Sequence, residues 1–214
     1  MNGEGVIDVS DLVGIVNIIL TSNGEDNTFL YCPDTHHPHM IDLGLPSGTL
    51  WSCCNVGAGN PMDVGGYFAW GETEEKKCYD WSTYIHCDGT EETYHDIGSD
   101  IAGTKYDVAH VKWGNGWQMP TEEQCKELID YTTAEYMNSN LFKGPNGNCI
   151  YLPNSGCKYG ESIRNESSGF YWTSTRAQYV GYTTSRYFFN RTDDTSPMAS
   201  MSLEIGCLVR PVHK

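Results

Sequence analysis

The sequence predicts a mixed α+β fold built from short strands and long loops. Short apolar runs alternate with turn residues from Ile41 onward, and the 214 residues include 23 glycines and 9 prolines, more than an average chain carries. Only one long helix with an apolar stripe stands out in this region. This composition favours a turn-rich chain over a helical bundle. The length allows one full domain with a small appendage, which excludes a large multidomain enzyme.

Three segments are predicted along the chain. Residues 1–30 form a calcium-loop-like segment with a helix, residues 31–40 a linker, and residues 41–214 the main domain. The linker carries prolines and the histidines His36, His37 and His39. These histidines suggest a transition-metal site, but no Cys or carboxylate lies at a fixed spacing nearby, so a solvated linker is the preferred interpretation.

The first residues of the chain resemble the back two thirds of an EF-hand-type calcium loop of the dockerin kind. Asn2, Glu4 and Asp11 fall on the third, fifth and twelfth loop positions, and Gly5 falls on the sharp turn. The first ligand is missing, so either the chain was cut there or the loop is degenerate and only caps the next helix. Both interpretations stay open, and calcium is the only cofactor that the sequence suggests.

An N-terminal helix is predicted from Ser10 to Leu20. Its wide apolar stripe includes Leu12, Ile15 and Ile19 and must be covered. The cover is either the main domain or another chain, which makes self-association through this helix one hypothesis. No second copy of the motif follows, so cohesin binding is not expected.

The main domain is predicted to contain five strands and two helices. The longer helix runs from Thr121 to Tyr131, because Thr121 and Gln124 form a capping box before an apolar stripe. The shorter helix runs from Tyr106 to Trp113 and stops at Gly114. The predicted strands are Gly66–Trp70, Cys149–Leu152, Gly169–Ser174, Arg186–Asn190 and Gly206–Val212, of which the last closes against the first strand of the domain. The tryptophans are assigned to the core, and Arg210 is expected to be a structural ion-pair partner.

Charge excludes two classes of partner. The formal net charge is −15, and all five arginines lie in the last quarter of the chain. Nucleic acids and anionic membrane surfaces would be repelled. No apolar stretch is long enough for a membrane span, and no export signal begins the given chain.

The nine cysteines do not follow a metal-binding pattern. No CxxC occurs, and no paired histidines accompany them, so structural zinc is not indicated. We expect most of them to be buried or free thiols instead of a disulfide framework.

Several sequence blocks arrive in a fixed order, and together they resemble a known family. The blocks are IDLGLPSGTLWSCCNVGA, GGYFAWGET, WGNGWQMPTEEQ, GPNGNCIYLP, GFYWTST and LVRPV. They are similar to the Fibrobacter succinogenes major paralogous domain family over about Met40 to Val212. That resemblance implies a C-type-lectin-like fold with two helices, small antiparallel sheets partly formed by the chain ends, and long loops that carry a ligand surface.

The segment from Gly169 to Met201 is the predicted ligand-binding region. Tyrosine and arginine among Ser, Thr and Gly are typical of binding surfaces, because a rigid amphipathic ring gives much contact for little entropy loss. The candidate ligand-binding residues are Arg176, Tyr179, Tyr182, Arg186, Tyr187, Asn190, Arg191, Asp193 and Asp194. In variable proteins of diversity-generating retroelements with this type of fold, the same stretch is diversified, although Gln178, Met198, Met201 and Glu204 do not fit adenine-directed change of Asn codons.

The sequence therefore predicts a non-catalytic, adhesin-like binding protein, located outside the cell or on its surface, with a protein or glycan ligand. No hydrolase elbow, zinc-protease or phosphate-loop motif occurs, so an enzyme is not expected. Two alternatives stay open. One is a formylglycine-generating-type oxidase that works through Cys207, since Trp117–Thr121 echoes that family's WR(L/M)PT block with Gln118 in place of Arg. The other is a structural assembly module.

Overall fold

The computed structural model describes residues 38–137, 139–177, 184–190 and 198–213. These ranges contain two α-helices and four small antiparallel sheets, which confirms the α+β prediction. The helices are α1 (Val108–Trp113) and α2 (Glu122–Tyr131), and Glu91–Thr93 forms a 3-10 turn. The strands are β1 (Met40–Asp42), β2 (Leu50–Ser52), β3 (Trp117–Gln118), β4 (Thr133–Met137), β5 (Ser139–Lys143), β6 (Cys149–Pro153), β7 (Cys157–Tyr159), β8 (Ser162–Arg164), β9 (Gly169–Arg176), β10 (Thr184–Asn190), β11 (Met198–Ser202) and β12 (Val212–His213).

The strand at the end of the chain joins the sheet formed by the first described strands. The order of this sheet is β1-β2-β12-β3, with Val212 opposite Trp51 on one side and Gln118 on the other. Trp51 and Val212 are fully buried and belong to the hydrophobic core, so this part of the sheet packs against the core. The predicted closing strand is thus present, but it is shorter than expected and pairs with β2 instead of β1.

Both helices form where the sequence predicts them. Thr121 accepts a hydrogen bond from the Gln124 amide, the Gln124 side chain accepts one from the Thr121 amide, and α2 follows with Cys125 and Leu128 buried. The shorter helix starts two residues later than predicted, at Val108. The reason is that the buried Asp107 carboxylate caps it and accepts the amides of Ala109 and His110.

Three of the five predicted strands are confirmed as β6, β9 and β10. Gly66–Trp70 is not a strand. The Phe68 amide donates to the Cys207 carbonyl, and the Trp70 amide donates to the Leu203 carbonyl. The two donors are two residues apart, but their acceptors are four residues apart. A regular antiparallel ladder needs equal spacing on both strands, so none forms here. The segment 206–212 is not one strand either, because Gly206, Cys207 and Leu208 each form an isolated bridge to a different segment.

The tryptophans lie in or against the core, as predicted. Trp51, Trp70 and Trp172 are fully buried, and Trp113 packs half-buried on the cluster. The Trp70 indole donates to the Thr173 carbonyl at 3.0 Å, and the Trp172 indole donates to the Phe68 carbonyl at 2.9 Å. These reciprocal bonds fix β9 against the segment around Phe68.

Arg210 is structural, but the predicted ion pair is wrong within the described part of the chain. Its guanidinium donates to Asn55 Oδ1 at 2.8 Å and to the carbonyl oxygens of Ser52 at 3.0 Å and Tyr151 at 2.6 Å. Arg210 is fully buried, so its donors must find acceptors within the protein. The three oxygen acceptors meet this need, one for each guanidinium nitrogen. Arg210 therefore connects β2, the loop after it and β6.

Candidate functional site

Four of the predicted ligand-binding residues are described by the structure, namely Arg176, Arg186, Tyr187 and Asn190, and Arg176 and Asn190 lie toward opposite ends of one sheet. This sheet has the order β11-β10-β9, and Arg176 is the last residue of β9. Ser185 pairs with Arg176, whereas Asn190 pairs with Gly169 at the far end. Arg176 is seven positions after Gly169 on β9, so the two residues are roughly 20 Å apart along the strand. The structure therefore does not bring Arg176 and Asn190 into one site.

The backbone positions of two further candidates lie on β10. Arg186 pairs with Ser200 of β11, and Tyr187 pairs with Trp172 of β9. Tyr179 and Tyr182 lie outside the described residues, in the connection between the ends of β9 and β10. The remaining candidates, Arg191, Asp193 and Asp194, follow Asn190 and also lie outside the described residues.

The end of β9 that carries Arg176, called here the Arg176 end, is held by several elements. The pairing of β9 with β10 has a register shift between Ser185 and Tyr187. Near this shift, backbone amides of β9 form hydrogen bonds to segments other than β10. The Ser174 amide donates to Pro120 at 2.8 Å, and the Arg176 amide donates to Ser99 at 2.8 Å. The Ser185 hydroxyl donates to the Thr175 carbonyl at 2.7 Å. The backbone at this end is therefore fixed by the loop around Ser99, by the start of α2 and by β10.

The side chain of Arg176 is also oriented. Its Nη1 lies 2.7 Å from Asp96 Oδ1, and its guanidinium carbon lies 5.6 Å from the centre of the Tyr94 ring. Tyr94 in turn stacks on the buried Tyr84 at 6.5 Å. Burial raises the pKa of Tyr94, so its ring stays neutral. Because the Arg176 side chain is 29% exposed, it combines a set orientation with access to solvent.

Sequence reasoning missed Tyr94 and Asp96. They are about 80 residues before Arg176 and lie in a loop that carries none of the quoted family blocks. The pairing follows only from the approach of that loop to β9, where Ile101 donates to the Ser174 carbonyl. A Tyr two residues before an Asp in an acidic loop gave no local indication of a distant arginine.

A second polar cluster lies beside β11 and was also missed. The buried Glu72 carboxylate accepts Lys76 Nζ at 2.8 Å and the Ile85 amide at 2.9 Å. The ammonium group of Lys76 lies 5.6 Å from the centre of the Tyr84 ring. The buried Glu204 carboxylate accepts the Ser202 hydroxyl, and burial raises its pKa. The i,i+4 spacing of Glu72 and Lys76 indicates an ion pair only on a helix, and residues 72–76 are not helical, so no local pattern predicts this pair.

Cys207 does not have the environment of a reactive cysteine. Its side chain is fully buried, its thiol lies 3.6 Å from the Met201 sulfur, and burial raises its pKa well above the usual value. Reactive cysteines are partly exposed and have lowered pKa values. This environment disfavours the oxidase hypothesis.

The predicted calcium ligands Asn2, Glu4 and Asp11 lie outside the described residues, as do the Ser10–Leu20 helix, His36 and His37. The His39 backbone amide donates to the Cys53 sulfur at 3.2 Å. Among residues that the structure describes, no three His, Cys, Asp or Glu side chains are grouped as a metal site would require. The same residues include no helix that is long and apolar enough to cross a membrane.

No family model matches this chain, and no curated protein or solved structure matches it.

Proposed function

We propose that this chain is a non-catalytic ligand-binding protein of the C-type-lectin-like type, related to the Fibrobacter succinogenes major paralogous domain family. The ordered sequence blocks support the family. Two helices, small antiparallel sheets and a final strand paired near the first described strands are compatible with the fold. The proposed location is extracellular or on the cell surface, and the proposed ligand is a protein or a glycan.

The observation that carries the proposal is the fixed, partly exposed guanidinium of Arg176. Its ion pair with Asp96 and its position against Tyr94 set its direction before any ligand arrives. An oriented side chain loses little rotamer entropy on binding, and arginine is prominent in binding hot spots. A planar guanidinium is suited to carboxylate, hydroxyl and carbonyl acceptors of a protein or glycan.

The proposed ligand surface is the Arg176 end of the sheet. Arg186 is next to Ser185, the residue that pairs with Arg176. Tyr179 and Tyr182 are within six residues of Arg176 along the chain. The proposal therefore assigns Arg176, Tyr179, Tyr182 and Arg186 to the ligand contact. Asn190 pairs with Gly169 at the other end of β9. Asn190 and the three candidates that follow it in sequence, Arg191, Asp193 and Asp194, are assigned no contact with the same ligand.

The test is a glycan and protein array screen of the purified chain, with and without calcium. A variant with Arg176→Ala, Tyr179→Ala, Tyr182→Ala and Arg186→Ala should lose the hit. A matched variant with Arg191→Ala, Asp193→Ala and Asp194→Ala should keep it. Loss in the second variant alone would assign the ligand contact to the segment after Asn190 instead, and retention in both would refute the assigned surface. Dependence on calcium would implicate the Asn2–Asp11 loop.

The variable-protein hypothesis requires a separate observation. If the segment is diversified, codons of residues such as Asn190 should differ from a nearby template repeat at its adenines only. Substitutions at other template bases would refute it.

A further inference from the structure

Two cysteines that are distant in sequence lie directly opposite each other in the core. Lys158 of β7 and Gly206 exchange both backbone hydrogen bonds, at 2.7 and 2.9 Å, in an antiparallel bridge. The neighbouring residues, Cys157 and Cys207, therefore occupy the adjoining non-hydrogen-bonded position. Directly opposed residues at such a position have Cα atoms about 4.5 Å apart.

The two thiols share one buried environment. Cys157 is 5% exposed and Cys207 is fully buried. Burial raises the pKa of both thiols, and the charge of an ionised Cys157 raises the pKa of Cys207 further. The side-by-side placement of the two residues follows from the Lys158–Gly206 bridge.

We propose that Cys157 and Cys207 form a disulfide when the chain folds in an oxidising medium. The expected separation of their Cα atoms lies within the range of about 4.4–6.8 Å that a disulfide spans. The oxidant is a second disulfide, such as glutathione disulfide or a thiol–disulfide oxidoreductase. One cysteine thiolate attacks it and releases one thiol, and the second cysteine thiolate then displaces the other. The two cysteines lose two protons and two electrons, which leave with the oxidant as two reduced thiols.

The burial of both cysteines sets the time at which the bond forms. An external oxidant cannot reach Cys207 in the folded protein, so the exchange occurs during folding, before the segments close. For the same reason the finished bond resists reductants until the protein unfolds.

The cross-link would close the chain between residues 157 and 207 into a loop. This loop contains β8, β9, β10 and β11, and with them every residue of the proposed ligand surface. The bond would link the two ends of this segment covalently, at residues 157 and 207. The inference does not depend on ligand binding, because its test measures the covalent linkage and not the ligand.

The experiment is to refold the reduced, denatured full chain in a buffer of reduced and oxidised glutathione, and in parallel in excess dithiothreitol. After alkylation, digestion without reduction and mass spectrometry, the expected product is a peptide pair that joins Cys157 to Cys207, lighter by two hydrogens than the separate peptides. Alkylated Cys157 and Cys207 in the folded, oxidised sample would overturn the proposal. So would a linkage of either residue to another cysteine, or folding only in dithiothreitol.

Variants separate this bond from a general effect of oxidation. The oxidised chain should have a higher Tm than the reduced chain, because a cross-link restricts the unfolded state. Cys157→Ser should abolish both the linked peptide and this rise in Tm. The matched control is Cys125→Ser, since Cys125 is equally buried but lies on α2. This variant should keep both the peptide and the rise. If Cys157→Ser does not fold, the mapping of the unchanged chain still decides the proposal.

Discussion

Replacing Arg210 with lysine is expected to lower the free energy of unfolding by about 3–6 kcal/mol. Arg210 is 1% exposed, and its Nε, Nη1 and Nη2 atoms each donate to a different acceptor. An ammonium group lacks the planar fork and can reach about one of the three. Two hydrogen bonds from a charged donor are then lost, at about 1.5–3 kcal/mol each.

The three acceptors explain why the loss is not recovered by rearrangement. Two are carbonyl oxygens, of Ser52 and Tyr151, which are fixed by β2 and β6. The third is Asn55 Oδ1, whose amide nitrogen is itself bonded to the Val64 carbonyl at 2.8 Å. None of these groups can turn toward solvent without breaking a second interaction, so the lysine variant leaves buried acceptors unsatisfied.

The measurement is urea unfolding of the full chain, followed by tryptophan fluorescence, with the free energy extrapolated to water. Arg164→Lys is the matched control. Arg164 lies on the exposed strand β8 against the Tyr159 ring, so its substitution should change stability by less than about 1 kcal/mol. A change below about 1 kcal/mol for Arg210→Lys would show that the three bonds do not contribute net stability, as happens when desolvation offsets a buried charge.

Two further predictions concern Asp80 and Glu204, whose carboxyl pKa values are shifted in opposite directions. The Cys78 thiol and the Ser82 hydroxyl donate to Asp80, which lowers the pKa of that carboxyl to about 2. The Asp80 carboxylate therefore contributes to stability above the ordinary pKa of 3.8, and this contribution is lost as the pH falls toward 2. Carbon-detected NMR should find the lowered pKa, and Cys78→Ala should raise it. Burial raises the pKa of Glu204 above 4.5, so its ionisation lowers stability as the pH rises through that higher pKa. Glu204→Gln should flatten this part of the pH–stability profile, and an unchanged profile would contradict the assignment.

Local patterns were sufficient where neighbouring residues make the interaction. The capping box at Thr121 and Gln124 is complete within four residues, and the helix begins at Glu122, one residue after the predicted start, with Thr121 as its N-cap. The apolar run from Cys149 to Leu152 became the fully buried strand β6. These elements could be predicted because the groups that satisfy each backbone bond are close in sequence or follow a regular period.

The same approach failed where several segments meet. Gly206, Cys207 and Leu208 bridge Lys158, Phe68 and Tyr171, so the apolar run from 206 to 212 forms a crossing of segments and not one strand. The expectation of an acidic partner for Arg210 failed for a related reason. Carbonyl oxygens that face a buried cation are supplied by every residue type, and no sequence pattern marks them.

The sequence by itself determined the α+β class, both main-domain helices and the burial of the tryptophans, because these depend on local periodicity, capping and the cost of exposing apolar area. Only the tertiary structure decided how the described candidate residues are arranged. It separated Arg176 from Asn190 by most of a strand, and it brought Asp96 and Tyr94 to Arg176 and Cys207 to Cys157. Such contacts arise from the way that separate segments pack, and the distance along the chain between the partners carries no information about them.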